Sequence, residues 1–483
     1  MRHTIHPALL PTLIAGLFAP LPSLAADSDE LAAIRAQIAD MKQAYEQRIA
    51  ALEGKLAAAE AKAAPSTATP TAAAAAPAPA SPPRERGPSR ASAFNPEVSL
   101  ILQGQYTQMK NVAGRGITGF WPEGGHAHAN GEVEAANRRG FSVDHSELVL
   151  SANIDPNWRG QAILAMRDRE VEVEESWFQS LGLGQGFGIK GGRFRSGIGY
   201  LNEQHPHMWD FAGAPLMYTA LFGEHASYIQ DGVQAKWLAP TPFFLEFGAE
   251  AGRGAQFPGS ERNRNGAGSN ALFMHLGNDI GDSHSWRAGL SYLKTATRQR
   301  LAEIHDANDV HGEAALNAGS RTWIADFVWK WAPNGNPKYR NFKLQGEYFS
   351  RSESGDIGCT PESAGLGEAC TGARDSYRRR QNGWYLQAGY QFTPHWRAGL
   401  RHEQLAANAA RLGTLAAAEL GNENALFKDF TPKRSSAMID YSWSEYARVR
   451  LQYAQDKSMQ GLTDHQWTLQ YIMSLGAHGA HKF

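Results

Sequence analysis

The segment His465–Phe483 reads HQWTLQYIMSLGAHGAHKF and carries the clearest structural pattern in the chain. Every second residue from Trp467 to Ala477 is apolar or aromatic, whereas the residues between them are mainly polar. Successive side chains of a β-strand point to opposite sides, so this two-residue period is that of a strand with one apolar and one polar face. The segment therefore predicts a strand that lies between an apolar environment and water.

The same alternation recurs from Phe94 to Phe483, in runs separated by two kinds of connection. Tight turns are predicted at residues 155–157, 182–184, 240–242, 278–281, 333–336, 393–395 and 444–445, and mostly long polar loops lie between them. Seven tight turns and eight outer loops correspond to about 16 antiparallel strands, with all tight turns on one side. Residues 94–483 thus predict an all-β transmembrane barrel whose outside faces lipid and whose lumen is aqueous.

The first 93 residues predict three further segments. Residues 1–25 have a basic start, an apolar stretch and small residues near Ala25, which is typical of a signal peptide. In residues 27–63 apolar positions recur three and four apart, which predicts a self-associating periplasmic coiled coil. Residues 64–93 are rich in Pro and Ala and predict a disordered linker. We therefore expect a bacterial outer-membrane protein with its N-terminal region in the periplasm.

Cys359 and Cys370 are the two cysteines of the chain. In an exported protein they predict a disulfide that closes one loop. The chain has no Gly-x-Ser-x-Gly, no His-Glu-x-x-His and no phosphate-binding loop, so these catalytic classes lack support. We therefore expect neither an enzyme nor a resident cofactor, and no nucleic-acid partner.

Residues 187–202 read FGIKGGRFRSGIGYLN, and Gly192, Arg193, Phe194, Arg195 and Gly199 carry a family resemblance. The segment resembles the phosphate-selective porin O and P family, in which Gly-(Arg/Lys/Gln)-Phe-Lys-x-x-x-Gly leads from a strand into the pore-constricting loop. Arg replaces the usual Lys here. The resemblance implies an outer-membrane porin in which Arg193 and Arg195 line the constriction.

Two other fragments, SELVLSAN at 146–153 and YLNEQH at 200–205, resemble uncharacterised porin-like proteins of proteobacteria, some with a zinc-regulated label. The last strand, with its terminal Phe483, resembles the closing strand of outer-membrane barrels. The coiled coil is similar to that of trimeric porins with periplasmic helical extensions. This similarity implies a homotrimer that associates through the coiled coil and the barrel walls.

Strand parity predicts which charged side chains face the lumen. Basic residues are in modest excess, and an electropositive lumen would favour anions. The candidates for pore lining and constriction are Arg159, Lys236, Arg397, Arg401, Arg448, Arg450, Glu203 and Asp210. Alternatively, these charges pair across the wall and only keep the lumen wet. Arg193 and Arg195 are ambiguous, because parity places them outside whereas a bulge at the two preceding glycines would turn them inward.

The loop 196–228 is the candidate constriction, because its apolar cluster at Met208–Phe211 would be buried if the loop folded into the barrel. An outward loop that packs on its neighbours is the alternative. His126 and His128, and likewise His205 and His207, are two residues apart, so each pair could share a divalent metal. Solvated loop histidines are the alternative interpretation.

These patterns together predict a porin for passive diffusion of small hydrophilic solutes across the lipid bilayer, with a preference for anions. One alternative is a zinc-related uptake protein or a receptor-like protein linked to TonB. A TonB-dependent receptor needs a folded plug and about 22 strands, for which residues 94–483 are too few. Another alternative is a structural tether of the outer membrane, which rests on the coiled coil and the linker.

Overall fold

The computed structural model describes residues 96–476, apart from gaps at 113–114, 123–138, 144, 168–169, 261, 306–310, 361–371 and 421–425. These residues all belong to one compact unit, residues 86–483. The predicted signal peptide (1–25), coiled coil (27–63) and linker (64–93) lie outside the described residues and stay predictions. Among the described residues, no helix is both long enough and apolar enough to cross a bilayer.

The described residues form eighteen strand segments and two short α-helices. The strands are β1 Glu97–Gln108, β2 Gly140–Ser142, β3 Ser146–Asp155, β4 Trp158–Arg167, β5 Glu170–Ser180, β6 Phe187–Arg195, β7 Ile229–Leu238, β8 Phe244–Gly252, β9 Ser269–Ile280, β10 His284–His305, β11 His311–Trp331, β12 Asn341–Thr360, β13 Arg374–Gln391, β14 Trp396–Ala406, β15 Arg411–Leu412, β16 Lys433–Ser444, β17 Ala447–Lys457 and β18 Asp464–Gly476. The helices are α1 Leu216–Phe222 and α2 Thr414–Leu420.

The sheet closes on itself, because β1 pairs antiparallel with β18 from Ser99↔Gly476 to Gln108↔Trp467. Two of the eighteen segments add no position to the wall. The short β2 pairs with β1 beyond the part of β1 that pairs with β3, and β15 likewise continues along β13 beyond β14. Since β14 pairs directly with β16, the wall contains sixteen strands. The predicted closed antiparallel barrel of about sixteen strands is therefore confirmed.

The seven predicted tight turns all join consecutive strands of the wall. They connect β3–β4, β5–β6, β7–β8, β9–β10, β11–β12, β13–β14 and β16–β17. The eight remaining connections, which include every long one, leave and rejoin the wall at the other end of the barrel. Proline, glycine or asparagine marks six of the seven tight turns, Ser444-Glu445 being the exception, because these residues suit the backbone angles of turns and interrupt the ladder of a strand.

Four strands are longer than the sequence predicts. Residues 295–320 and 352–380 are predicted as loops, but β10 reaches His305, β11 starts at His311, and β12 and β13 occupy most of the second range. Inward residues of this region, such as Thr297 and Ser320, are buried, whereas the outward Lys294 and Arg298 are polar and exposed. These strands continue beyond the part of the wall whose outer face is apolar. There the outward residues are polar as well, so the alternation of apolar and polar residues is lost.

The outer face of the wall is apolar, as the alternation predicts. On β18 the outward side chains from Trp467 to Leu475 are about half exposed, whereas the inward Gln470 is 2% exposed. Aromatic residues such as Phe243 and Trp396 lie on the outside close to the tight turns. This arrangement suits a wall in contact with lipid, since the closed ladder also satisfies the backbone polar groups of its strands.

Cys359 is buried near the outer end of β12. Cys370 lies outside the described residues, so the predicted disulfide between these residues stays a prediction.

The apolar belt can be tested on β18. Leu469→Arg places a charge near the middle of the outer face and should make folding into phospholipid vesicles less favourable by about 2–4 kcal/mol. His465→Arg is the matched control, because it changes the same face of the same strand close to the outer loops and should cost at most about 1 kcal/mol. Equal effects in urea titrations of folding would contradict a lipid-facing β18.

Candidate functional site

The segment that joins β6 to β7, residues 196–228, lies inside the barrel; we call it the lumen loop. Hydrogen bonds connect it to strands on several sides of the wall. The backbone N–H of Leu201 donates to Glu347 on β12 at 2.9 Å, and that of Ala212 donates to Gln452 on β17 at 2.8 Å. Further bonds reach Glu250 on β8, Ser291 on β10 and Glu403 on β14. The lumen loop is therefore held across the lumen rather than along one wall.

Two residues fix the entry of the lumen loop. The Asn202 side chain donates to the carbonyls of Ser196 (2.7 Å) and Tyr228 (3.1 Å) and accepts from the backbone N–H of Tyr228 (2.6 Å), so it joins the two ends of the loop. Gly199 has a φ of +65°, and a Cβ there would lie 2.5 Å from Glu347 Oε2. Only glycine suits that backbone conformation and that close approach without strain.

The lumen loop brings an apolar core into the barrel. Helix α1 contributes Leu216, Met217, Tyr218, Leu221 and Phe222, all at most 3% exposed, and the wall contributes Phe273, Ile324, Phe349, Tyr385 and Leu405. The rings of Tyr218 and Phe349, for example, meet edge to face with centroids 5.2 Å apart. The predicted apolar cluster also contributes to this core, through Trp209, but α1 supplies more of the core residues.

Inward polar side chains are buried on all sides of the wall at mid-height. Examples are Gln103 on β1, Gln234 on β7, Ser291 on β10, Gln345 on β12 and Gln470 on β18, each at most 2% exposed. The expectation of a water-filled lumen is therefore wrong at this level, where the lumen is packed. The number of strands determines how much space the wall encloses, but it does not determine how much chain folds into that space.

Cationic side chains collect at the tight-turn end of the lumen; we call this set the basic cluster. It contains Arg287, Lys330, Lys343, Arg397, Arg448 and Arg450, each close to a tight turn. Arg450 and Arg397 also pair with Asp440, and Arg448 donates to the His207 carbonyl at 2.9 Å. Three predicted pore-lining residues, Arg397, Arg448 and Arg450, thus lie together inside the barrel.

Asp210 of the lumen loop lies within the basic cluster. Its Oδ2 is 3.0 Å from Lys343 Nζ, and its Oδ1 is 2.5 Å from Arg397 Nη1. Burial by itself would raise the pKa of Asp210, but the two cations outweigh burial and hold it well below its usual range. A carboxylate whose pKa is lowered contributes its stability above the unfolded pKa of about 3.9. Asp210 therefore remains a charged anchor of the lumen loop throughout the neutral range.

The other predicted lining residues are also paired. Lys236 lies 3.2 Å from Glu203 and 3.3 Å from Glu246, and Arg401 lies 3.0 Å from Glu403 and stacks over the ring of Phe211. Arg159 forms a more exposed pair with Glu97 near the tight-turn rim, at 3.3 Å. These contacts correspond to the alternative in which lumen charges pair with one another.

Arg193 and Arg195 lie on different sides of the wall. Arg193 pairs with Asp231 at 2.7 Å on the outer face, so its assignment to the pore constriction is wrong. Gly192 forms a close approach to Ser176 with a φ of +124°, but the register of β6 still leaves Arg193 outside. Arg195 ends β6, where the chain turns inward, and is 2% exposed. It pairs with Glu174 and donates to the carbonyl of Gln204 at 3.2 Å.

His205 and His207 of the lumen loop contact carboxylates of the wall. His205 Nδ1 lies 3.2 Å from Glu147 Oε2 and 3.2 Å from Glu174 Oε2, and His207 Nδ1 lies 3.1 Å from Glu147 Oε1. Burial by itself would lower the pKa of His205, but Glu147 raises it to about 10. The other predicted pair, His126 and His128, lies outside the described residues.

His145, which is not among the site residues predicted from the sequence, completes this arrangement. It immediately precedes β3, and its Nε2 lies 3.1 Å from Glu147 Oε1 and 3.2 Å from Glu174 Oε2. We call His145, Glu147, Glu174 and His205 the His–Glu cluster. The alternate spacing of His145 and Glu147 at the start of a strand is visible in the sequence, but nothing local indicates that Glu174 and His205 join them.

No protein-family model matches the chain. An uncharacterized protein of Aquifex aeolicus is 28% identical over 425 residues, which cover 82% of this chain and 81% of that protein. Among solved structures, OprB of Pseudomonas putida shows 10% identity over 80% of this chain and 95% of its own (TM-score 0.47). The anion-selective porin of Comamonas acidovorans shows 9% identity over 79% of this chain and 99% of its own (TM-score 0.45). The description of this chain as a barrel therefore rests on its own strand pairing.

The separation of the two arginines gives a matched test. Arg195→Ala leaves the buried Glu174 without its guanidinium partner, and loss of one member of a buried ion pair costs roughly 3–5 kcal/mol. Arg193→Ala breaks a partly exposed pair on the outer face and should cost at most about 1 kcal/mol. The free energy of unfolding in urea, followed by tryptophan fluorescence in detergent, measures both. Equal losses would contradict the placement of Arg193 outside and Arg195 inside.

Proposed function

We propose that the protein is an outer-membrane porin-type channel for passive diffusion of small hydrophilic solutes, and that the lumen loop controls the passage. The observation that carries the proposal is a closed sixteen-strand wall, apolar outside, whose lumen holds a loop tied by charged groups. The apolar outer face supports a location in a bilayer. The polar residues that line the lumen would give hydrophilic solutes a path that lipid does not.

In this proposal the described conformation is the closed state. Wall and lumen loop pack together at mid-height, so passage requires the loop to shift. Several attachments of the loop to the wall are polar. They are the ion pairs of the loop residue Asp210 and the hydrogen bonds that the loop donates to Glu347 and Glu403 of the wall, and these groups can exchange partners with water when the loop moves.

Removal of the Asp210 charge should open the channel. Asp210→Asn removes charge-assisted hydrogen bonds worth about 1.5–3 kcal/mol each, which should favour the open form by roughly tenfold or more. We expect a higher mean conductance in planar bilayers than for the unchanged protein. Asp231→Asn is the control, because it removes a carboxylate that pairs with Arg193 on the outer face, and its conductance should be unchanged.

The same recordings separate the alternatives. Absence of conductance in both the unchanged protein and Asp210→Asn, with the barrel folded in the bilayer, would contradict a channel and favour a structural tether. Passive conductance without any energy source would argue against a receptor linked to TonB. A homotrimer assembled through residues 27–63 and the barrel walls belongs to the same proposal. It rests on the apolar spacing of residues 27–63, which favours self-association, and on their resemblance to the helical extensions of trimeric porins.

We also propose a preference for anions, which the basic cluster supports. A recess of about 230 Å³ at this end of the lumen is lined by Arg397, Arg448 and Asp440, among others. The cations of the cluster outnumber its carboxylates, and such an excess attracts anions into a confined space. Lys343 and Arg397 hold Asp210 of the lumen loop, so the test changes two other cations of the basic cluster, Arg287 and Lys330.

The double variant Arg287→Gln/Lys330→Gln should move the reversal potential in a salt gradient from the anion side toward zero. The physical reason is the loss of two positive charges from one mouth of the lumen. Arg159→Gln is the control, since this exposed residue at the rim pairs with Glu97 and should leave the reversal potential almost unchanged. A reversal potential that already indicates cation preference in the unchanged protein would overturn this part of the proposal.

A further inference from the structure

We propose that the His–Glu cluster is a divalent-metal site, with ligands suited to zinc, that connects the lumen loop to strands β3 and β5. The inference does not require conduction, because it concerns how His205 of the loop is attached to the wall. The site also differs from the one predicted from the sequence, in which His205 and His207 share a metal. Here His207 is not one of the four ligands and instead contacts one of them, Glu147.

The donor atoms have the separation that a small metal ion requires. Zinc bound tetrahedrally to nitrogen and oxygen at about 2.0–2.1 Å places neighbouring donors about 3.3 Å apart. In the cluster, His145 Nε2 and His205 Nδ1 each lie 3.1–3.2 Å from oxygens of both Glu147 and Glu174. One donor atom from each of the four residues lies within 4.8 Å of the other three. The distances thus describe a compact set of four donors.

Two of these donors are buried without a hydrogen bond. Glu147 Oε2 and His205 Nδ1 are 3.2 Å apart, yet neither makes a hydrogen bond of acceptable geometry within the described residues. A buried polar atom left in this state is costly. An ion between the two groups would satisfy both, because imidazole nitrogen and carboxylate oxygen would each direct a lone pair at the metal. This observation points to a ligand independently of the donor spacing.

The residues around the cluster support its donors. Arg195 pairs with Glu174 Oε1 and leaves Oε2 directed at the two histidines. His207 contacts Glu147 Oε1, which holds that carboxylate in place. Partners of this kind orient metal ligands, and their loss typically weakens metal binding by about 10–100-fold. Two imidazoles and two carboxylates form a set that zinc accepts.

The contact between Arg167 and His145 opposes metal binding. Arg167 Nε donates to His145 Nδ1 at 3.1 Å, so in this conformation the proton of a neutral His145 would lie on Nε2, the metal-facing nitrogen. A metal on Nε2 requires that proton on Nδ1, and Arg167 must then turn away. Its Nη2 is already 3.9 Å from Glu174 Oε1, and its side chain is 18% exposed. In Arg167→Gln the new amide oxygen can accept from Nδ1–H, which favours the metal-binding tautomer.

The test uses the full-length protein, folded in detergent, freed of metal with a chelator and titrated with zinc by calorimetry. We expect one zinc ion per chain. Visible absorption of bound cobalt, as a spectroscopic substitute for zinc, should show a four-coordinate site. His205→Ala should weaken binding by about a hundredfold or more, as loss of a direct ligand must exceed loss of an outer partner. Arg167→Gln should bind zinc more tightly than the unchanged protein.

His275→Ala is the matched control, because His275 is another buried lumen histidine that contacts a carboxylate, Glu246 at 3.2 Å, but is not among the four donors. It should bind zinc like the unchanged protein. The heat-dependent shift of the folded barrel on gels verifies folding of every variant. A folded, unchanged protein that binds no zinc overturns the proposal, as does equal binding by His205→Ala. Either result would leave the conductance prediction for Asp210→Asn unaffected, so the two proposals can fail separately.

Discussion

The structure depends on the hydrogen-bond ladder that joins β1 to β18 and thereby removes the free edges of the sheet. In hydrocarbon an unpaired backbone N–H or C=O costs several kcal/mol, so only a closed sheet or a helix can cross a bilayer. Closure in turn gives every strand two different faces. Residues such as Leu469 then lie on the apolar outer face, and their neighbours, such as Gln470, lie in the lumen. The polar half of the wall is therefore concentrated inside the barrel, where it needs partners.

Those partners come largely from the lumen loop. Buried carboxylates are stable only when they are paired or accept hydrogen bonds. Glu347 accepts from the Leu201 N–H and from the hydroxyls of Tyr218 and Tyr385, and Glu403 accepts from the Leu216 N–H while it pairs with Arg434. The wall carboxylates in turn satisfy backbone N–H groups of the loop that would otherwise be buried without an acceptor. Wall and loop thus stabilise each other, and the apolar core around α1 fills the space between these polar attachments.

Local sequence patterns predict the wall well. A strand with an apolar outer face and a polar inner face must alternate apolar and polar residues, and most of the tight turns need residues such as proline, glycine or asparagine. These patterns predict the contents of the lumen poorly. Arg193 and Arg195 have the same parity, yet only Arg195 lies inside, because it ends a strand and follows the chain inward. The His–Glu cluster combines a residue before β3, two wall residues and one loop residue, and its Glu147 also contacts His207, 60 residues away in the chain. No periodicity encodes contacts of that range, so only the folded structure reveals them.

Two of the charged attachments of the lumen loop have opposite sense. At the tight-turn end, the loop carboxylate of Asp210 meets cations of the wall, whereas at β3 and β5 the loop imidazoles of His205 and His207 meet carboxylates of the wall. If the loop were reversed, it would bring like charges together at both places, and this would cost free energy at each. The charges therefore specify the direction in which the loop crosses the lumen. Because both attachments are buried, salt screens them less than it screens surface pairs such as Arg159 and Glu97. It follows that a change in the charge of one attachment, whether by mutation or by a bound ion, should release or tighten one part of the loop while the other part keeps its place.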